Sequence, residues 1–239
     1  MDPRLKHIVD HYDTFKIGPD EPFPFHCVQC GKCCVHREDI LLNPQDLFRM
    51  AKHLGQTPKD VVIHYCEVYT GPDSRMPLVR LLPEGEDHHC PFLVRSKCRI
   101  HEAKPTVCAM YPIGRALRVD RGTGSGEPPD IDYLFDPPGC GDQSETHTVR
   151  EWLGELPHPC GRPVLPGMGS RGANFLCESF RELEQASEIA TAVLVRPMVY
   201  QRFYLDYSLQ GEFLPQFRKN MEAVRHFVAG LREKVEAEP

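Results

Sequence analysis

FHCVQCGKCCVHRED, residues 25–39, sets Cys27, Cys30, Cys33 and Cys34 within a few positions of one another. Two-residue gaps let a short loop turn several thiolates toward one ion, and Gly31 allows backbone conformations that a β-carbon obstructs. A lone C-x-x-C is open to redox, zinc or chance readings. Four cysteines this dense, answered by Cys90, Cys98, Cys108 and Cys140 downstream, form a metal-binding pattern. Eight thiols match two four-ligand sites, either all-cysteine zinc or one or two iron–sulfur clusters. Consecutive side chains usually point apart, so Cys33 and Cys34 are expected to serve two neighbouring sites, or one site with the second thiol in support. Wide loops between ligands are tolerable, because closing a longer loop adds little entropic cost.

The chain of 239 residues suits one sizeable domain or a domain and a half. A net charge of −6, with no arginine or lysine cluster, argues against nucleic acid as the partner. The N-terminal MDPRLKHIVDHYDTF lacks the apolar run of a secretory signal, and no stretch reads as a membrane span. A cytoplasmic location is expected. There the 11 cysteines should be thiols or ligands rather than disulfides.

Asn43-Pro44 predicts a helix with Leu47, Phe48, Met50, Ala51 and Leu54 on one face and Gly55 ending it. Thr57-Pro58 predicts a second helix carrying Val61, Val62, Tyr65 and Val68, with Cys66 on or near it as a small buried thiol. Met76–Leu82, Ile113–Val119 and Ile131–Phe135 read as strands, the last two as hairpin partners across the loop RGTGSGEPPD. Thr148 and Glu151 form a capping box. The Pro- and Gly-rich stretch from Leu156 to Gly172 marks a boundary, and Phe175, Leu176, Phe180 and Leu183, then 193–209 and 213–235, read as helical. Tyr200, Phe203, Tyr204 and Tyr207 form an aromatic stripe read as packing. The expected architecture is α+β: a small metal-stapled domain over residues 1–157, with short helices and a few strands. A Pro/Gly linker and an α-helical extension follow over 158–239.

Ligand type alone does not separate zinc from iron. Cys27-x-x-Cys30-x-x-Cys33 has the spacing with which bacterial ferredoxins begin an iron–sulfur site, and Cys90-Pro91 matches their Cys-Pro ending. The balance favours an iron–sulfur cluster, 4Fe-4S, over zinc. Together Cys27-Val-Gln-Cys30-Gly31-Lys-Cys33-Cys34, Cys90-Pro-Phe92-Leu93, Cys98-Arg-Ile100-His101-Glu102-Ala-Lys104-Pro105 and Cys108-Ala-Met-Tyr111-Pro112 resemble the YkgJ-type cysteine-cluster family of zinc- or iron-chelating domains. The resemblance spans about residues 25–155. His101 and Lys104 stand where that family has Tyr and Arg, and Cys140-Gly141-Asp142 matches its late cysteine loosely. The resemblance implies a metal-chelating domain and, through distant kinship with flagellin lysine N-methylases, allows S-adenosylmethionine-dependent methyl transfer. No glycine-rich strand-to-helix turn for that cofactor is evident.

Further groups are weighed beside the cysteines. His88-His89 reads as exposed; His26 and His36 as hydrogen-bonding neighbours of the sulfurs; Glu102 and Tyr111 as proton carriers or structural partners. Cys160 and Cys177 read as buried small residues. Two functions of different kind follow: an iron–sulfur protein in a redox or accessory role, or a zinc-stapled module whose C-terminal helices recruit a protein partner.

Overall fold

The computed structural model describes residues 3–37, 40–72, 74–118, 130–154, 179–180 and 182–237. Its fold mixes short helices with small antiparallel sheets, as expected for the α+β class. Two short helices, α1 (Pro3–Asp10) and α2 (Tyr12–Phe15), open the chain, and capping chemistry sets the helices that follow. Asn43 accepts from the Asp46 amide while the Asp46 side chain returns to Asn43, opening α3 (Pro44–Leu54), which Gly55 closes in the left-handed conformation. Thr57 and Asp60 repeat the device at α4 (Pro58–Tyr65).

Helix α4 ends earlier than its apolar spacing suggests. Val68 lies on strand β4 (Cys66–Thr70), which pairs antiparallel with β5 (Pro77–Leu81), itself flanked by β3 (Leu41–Leu42). The alternation in Glu67-Val68-Tyr69-Thr70 fits a pleated surface, and pairing with β5 overrides the helical reading. Cys66 is buried there in the main core, and burial pushes its thiol up to about 12.

A second sheet joins β8 (Ile113–Arg118) to β9 (Asp130–Phe135), the expected hairpin partners, with β1 (Lys16–Ile17) on the far side of β9. β2 (Pro22–His26) pairs with β10 (Asp142–Thr148). Thr148 and Glu151 then cap the short helix Val149–Gly154. The loop at 119–129, the Pro/Gly boundary, Phe175, Leu176, Cys160 and Cys177 lie outside the described residues.

Two hydrophobic cores result. Leu47, Met50 and Val61 from α3 and α4, Val79 and Leu81 from β5, and Phe92 and Ile100 join Phe180, Val199, Phe203, Phe217 and Val224 from the C-terminal part. The helical extension is therefore packed into the same core as the cysteine-bearing half. Residues 188–205 are helical throughout, with π turns at Thr191–Val195 and Gln201–Leu205 around Pro197, which has no amide to donate. The last helix runs Phe213–Ala237. The aromatic stripe is packing as expected, with Phe203, Tyr204 and Tyr207 all buried. Phe23, Phe25, Met110, Ile113, Val149 and Leu153 make the smaller core. Among the described residues no helix is long and apolar enough to cross a membrane.

Glu184 fastens the C-terminal part to the strand region. It accepts from Arg75 Nε at 2.6 Å and Nη2 at 2.7 Å, and from Arg196. The Arg75 hydrogen bonds hold its carboxyl below the usual range. A depressed carboxylate contributes stability above its unfolded pKa of about 4.3 and loses it as pH falls through the native value. Glu184→Gln should lower Tm by a few degrees at pH 7, and the gap to the parent should close below pH ~3, as followed by circular dichroism.

Candidate metal centre

The first cysteine loop is a tight turn at Lys32–Cys34 that begins from Gly31 with φ +75°. A β-carbon on Gly31 would stand 2.7 Å from the Ser96 carbonyl oxygen, so the second cysteine loop seats directly on this glycine. Backbone bonds lace the two loops together: Cys90 N donates to Cys34 O at 2.8 Å, His36 N to Asp87 O at 3.0 Å, and Arg37 N to His88 O at 3.1 Å. Between Cys90 and Cys98 the chain makes a hairpin of β6 (Leu93–Val94) and β7 (Lys97–Cys98). Its two-residue turn, Arg95-Ser96, has φ of +49° and +63° at residues that are not glycine. Gln29, His36 and His88 are also left-handed, so non-glycine strain gathers around the cysteine loops.

Cys108 is carried by α5 (Thr106–Met110), and a buried carboxylate anchors that helix. Asp46 Oδ1 accepts from Thr106 N at 2.9 Å and Thr106 Oγ1 at 2.6 Å; its Oδ2 accepts from Asn43 Nδ2 at 2.7 Å. Asp46 therefore ties the start of α3 to the start of α5. Arg49 reaches the same corner and donates to Lys104 O at 2.6 Å. Cys140 arrives from the loop before β10. Gly141, with φ +72°, would place a β-carbon 2.5 Å from His26 O, so this loop presses against β2.

These four pieces bring all eight predicted cysteines, Cys27, Cys30, Cys33, Cys34, Cys90, Cys98, Cys108 and Cys140, onto the wall of one cavity. Leu81 and Ile100 reach it from the larger core and Phe25, Tyr111 and Trp152 from the smaller, so it sits at the seam between them. Its volume is about 90 Å3, space for about three waters and therefore for a small inorganic group. Among the described residues no three His, Cys, Asp or Glu side chains are close enough to form a ready ion cage. The thiols share a wall, and ligation would draw them in further; such coupling of metal binding to closure is usual.

Cys33 and Cys34 both reach the cavity from the tight turn, and a hydrogen bond from the Cys34 thiol bears on Cys33. That bond holds Cys33 down to about 6, with Arg37 and Lys104 adding positive potential, and it pushes Cys34 up. Cys30 is lowered by amides of Lys32 and Gly141 aimed at its sulfur. Burial raises Cys90 to about 11 and also raises Cys98, Cys108 and Cys140, while the amides of Phe92 and Ile100 point at the sulfurs of Cys90 and Cys98. Cys30, Cys90 and Cys98 thus each receive the amide two residues ahead, an arrangement that favours thiolate. The electrostatics fall into two neighbourhoods. Cys90 and Cys108 act on Cys34, Cys98 acts on Cys90 and Cys108, Cys27 and Cys30 act on Cys140, and Cys33 is felt in both sets.

Tyr111 lies on this wall, its hydroxyl 3.5 Å from Cys140 Sγ. His101 and Lys104 line the cavity too, which gives the two departures from the cysteine-cluster pattern a place at the site. His26 turns instead to Ser144 at 3.1 Å, and His89 to Asp87 at 2.6 Å. Glu102, His36, His88 and His89 do not line the cavity. Arg37 and Asp46 went unread in the sequence. Arg37 lies just outside the cysteine run, and Asp46 reads locally as helix capping, so neither signals its long-range partner.

Residues 26–125 match the family model CxxCxxCC, described as a putative zinc- or iron-chelating domain, the same cysteine-cluster family that the motifs resemble. No curated protein and no solved structure matches the chain.

Substitutions at two positions test how the wall is held. Gly31→Ala should cost about 1–2 kcal/mol for the left-handed backbone alone, before the clash with Ser96. It should also reduce bound metal, read by denaturation and elemental analysis. Asp46→Ala strips acceptors from Thr106 and Asn43 and should cost about 2–4 kcal/mol, whereas Asp46→Asn, which keeps one carbonyl oxygen, should cost less.

Proposed function

We propose that this CxxCxxCC domain holds an iron–sulfur cluster, 4Fe-4S, in a redox or accessory role. One observation carries the reading: eight thiols, drawn from four separate stretches, line a single small cavity. A single tetrahedral zinc needs four ligands and no more. Two neighbourhoods of thiols meeting at Cys33 suit a polynuclear group or a pair of sites.

When bound, such a cluster supplies electron transfer at a potential set by its surroundings. The surroundings here are supplied by the chain. Amides of Lys32, Gly141, Phe92 and Ile100 point at the sulfurs of Cys30, Cys90 and Cys98, and stabilise negative charge there. Arg37 and Lys104 offset the charge of several thiolates in one wall. Phe25, Leu81, Ile100 and Trp152 supply apolar surface to the seam. The ferredoxin-like spacing of Cys27, Cys30 and Cys33 supports iron over zinc. The family description supports chelation, and it does not mention methyl transfer.

Anaerobic purification followed by iron, sulfide and zinc analysis and a visible spectrum tests the reading. A brown protein with matched iron and sulfide is expected, and Cys30→Ser should lower both along with Tm. Cys66→Ala, in the core and off the cavity wall, should leave metal content unchanged and cost about 1 kcal/mol of stability. A colourless protein with stoichiometric zinc would replace the cluster by a structural zinc site. Loss of metal from Cys66→Ala but not from Cys30→Ser would overturn the ligand set altogether.

A further inference from the structure

The chain carries a net charge of −6 and no long basic run, yet folding gathers cations over the metal centre. Between the cysteines of the first two loops, residues 27–34 and 90–98, the only charged residues are Lys32, Arg95 and Lys97. The hairpin of β6 and β7 turns at Arg95-Ser96, and Ser96 rests on Gly31, which brings Lys32 beside that turn. All three cations are exposed, and among the described residues none has an ion-pair partner. Arg99, the next cation, is exposed as well. It lies over the Tyr65 ring at 5.8 Å, with Nη2 donating to the Tyr65 hydroxyl at 3.1 Å. Acids about the centre are engaged with histidines: Asp87 meets His89 at 2.6 Å, and Asp142 and Glu145 flank His26.

Apolar surface lies among these charges. Val28 is 48% exposed and Val94 47%, and Val94 pairs with Lys97 across the hairpin. Val28 and Gln29 also line the thiol cavity, and Cys27 beside them is exposed, so the wall of sulfurs reaches the surface here. The turn is fixed in place, its left-handed Arg95 and Ser96 held against the first loop at Gly31.

We propose that this face docks an acidic one-electron carrier protein, whose carboxylates surround Val28 and Val94 and meet Lys32, Arg95 and Lys97. The proposal rests on the cluster reading above. One electron leaves the reduced carrier, which is oxidised, and enters the bound cluster, which is reduced; no bond is made or broken. The net charge of the chain does not prevent this, because salt confines each charge to about 8 Å and the local cations decide the contact. A patch of this size gives a weak encounter, as is usual between redox partners, and its charges act mainly on the rate of association. Three free cations and two valines are too few to hold a nucleic-acid backbone or to seat the chain on a membrane.

Anaerobic stopped-flow of the cluster-loaded chain tests this, with reduced plant-type 2Fe-2S ferredoxin as the acidic donor and reduced methyl viologen as a small cationic one. The ferredoxin rate should fall about tenfold or more on going from low salt to about 0.5 M, and the methyl viologen rate should change far less. Lys32→Glu/Arg95→Glu/Lys97→Glu should cut the low-salt ferredoxin rate about tenfold or more, with iron content and reduction by methyl viologen as in the parent. Arg95→Glu/Lys97→Glu, which leaves the first cysteine loop untouched, should give most of that loss. Lys59→Glu/Arg218→Glu/Lys219→Glu makes the same change in net charge at exposed positions of α4 and the last helix, and should slow ferredoxin at most about twofold. A ferredoxin rate indifferent to salt or to the hairpin substitutions would overturn the proposal, and so would an equal loss from the control triple. Binding of mixed-sequence RNA or phosphatidylserine vesicles by the parent and not by the hairpin variants would overturn it as well. So would reduction by methyl viologen alone, or by neither donor; in the last case iron and sulfide analysis of the same sample shows whether the cluster reading falls with it.

Discussion

Burial opposes ionising the thiols that share this small wall, raising Cys90, Cys98, Cys108 and Cys140, and much of the surrounding structure acts against that cost. Coulomb repulsion between charges a few ångströms apart grows as water is excluded. The chain meets it with backbone amides pointed at sulfur, with Arg37 and Lys104, and with a hydrogen bond shared between Cys33 and Cys34. Position is held by stiffness. Backbone bonds link Cys34 to Cys90 and the residues after it to Asp87 and His88, and Gly31 and Gly141 permit approaches that no side chain would allow. Left-handed residues such as Gln29 and Ser96 store strain that the lacing must overcome.

The cavity lies where two cores meet rather than inside either. Residues of the larger core reach it through Leu81 and Ile100, and those of the smaller through Phe25 and Trp152. Because the C-terminal helices supply much of the larger core, with Phe180, Phe203 and Phe217 fully or nearly buried, they support the metal-binding half from behind. Their contribution to the site is thus mechanical.

Much of this could be read from residue order. Asn43-Pro44, Thr57-Pro58 and the Thr148–Glu151 pair marked helix starts because capping is local chemistry, complete within four residues. The eight cysteines were recognised because few other arrangements explain such density. What failed to show depended on distance along the chain. Val68 fits a helix by spacing and a strand by pairing, and its partner Val79 is visible only once folded. The seating of Ser96 on Gly31 joins two loops far apart along the chain. Asp46 serves Asn43 and Thr106 at once, and only the nearer partner is legible in sequence.

Helix α5 is five residues long and both of its sides are committed. Cys108 faces the thiol cavity, while Thr106, Val107 and Met110 face a groove beyond, and Asp46 clamps its first turn. So short a partition has no slack to absorb displacement. Anything that moved Cys108 would carry Thr106 and Met110 with it, and Asp46 opposes such movement by holding the first turn of α5 to the start of α3.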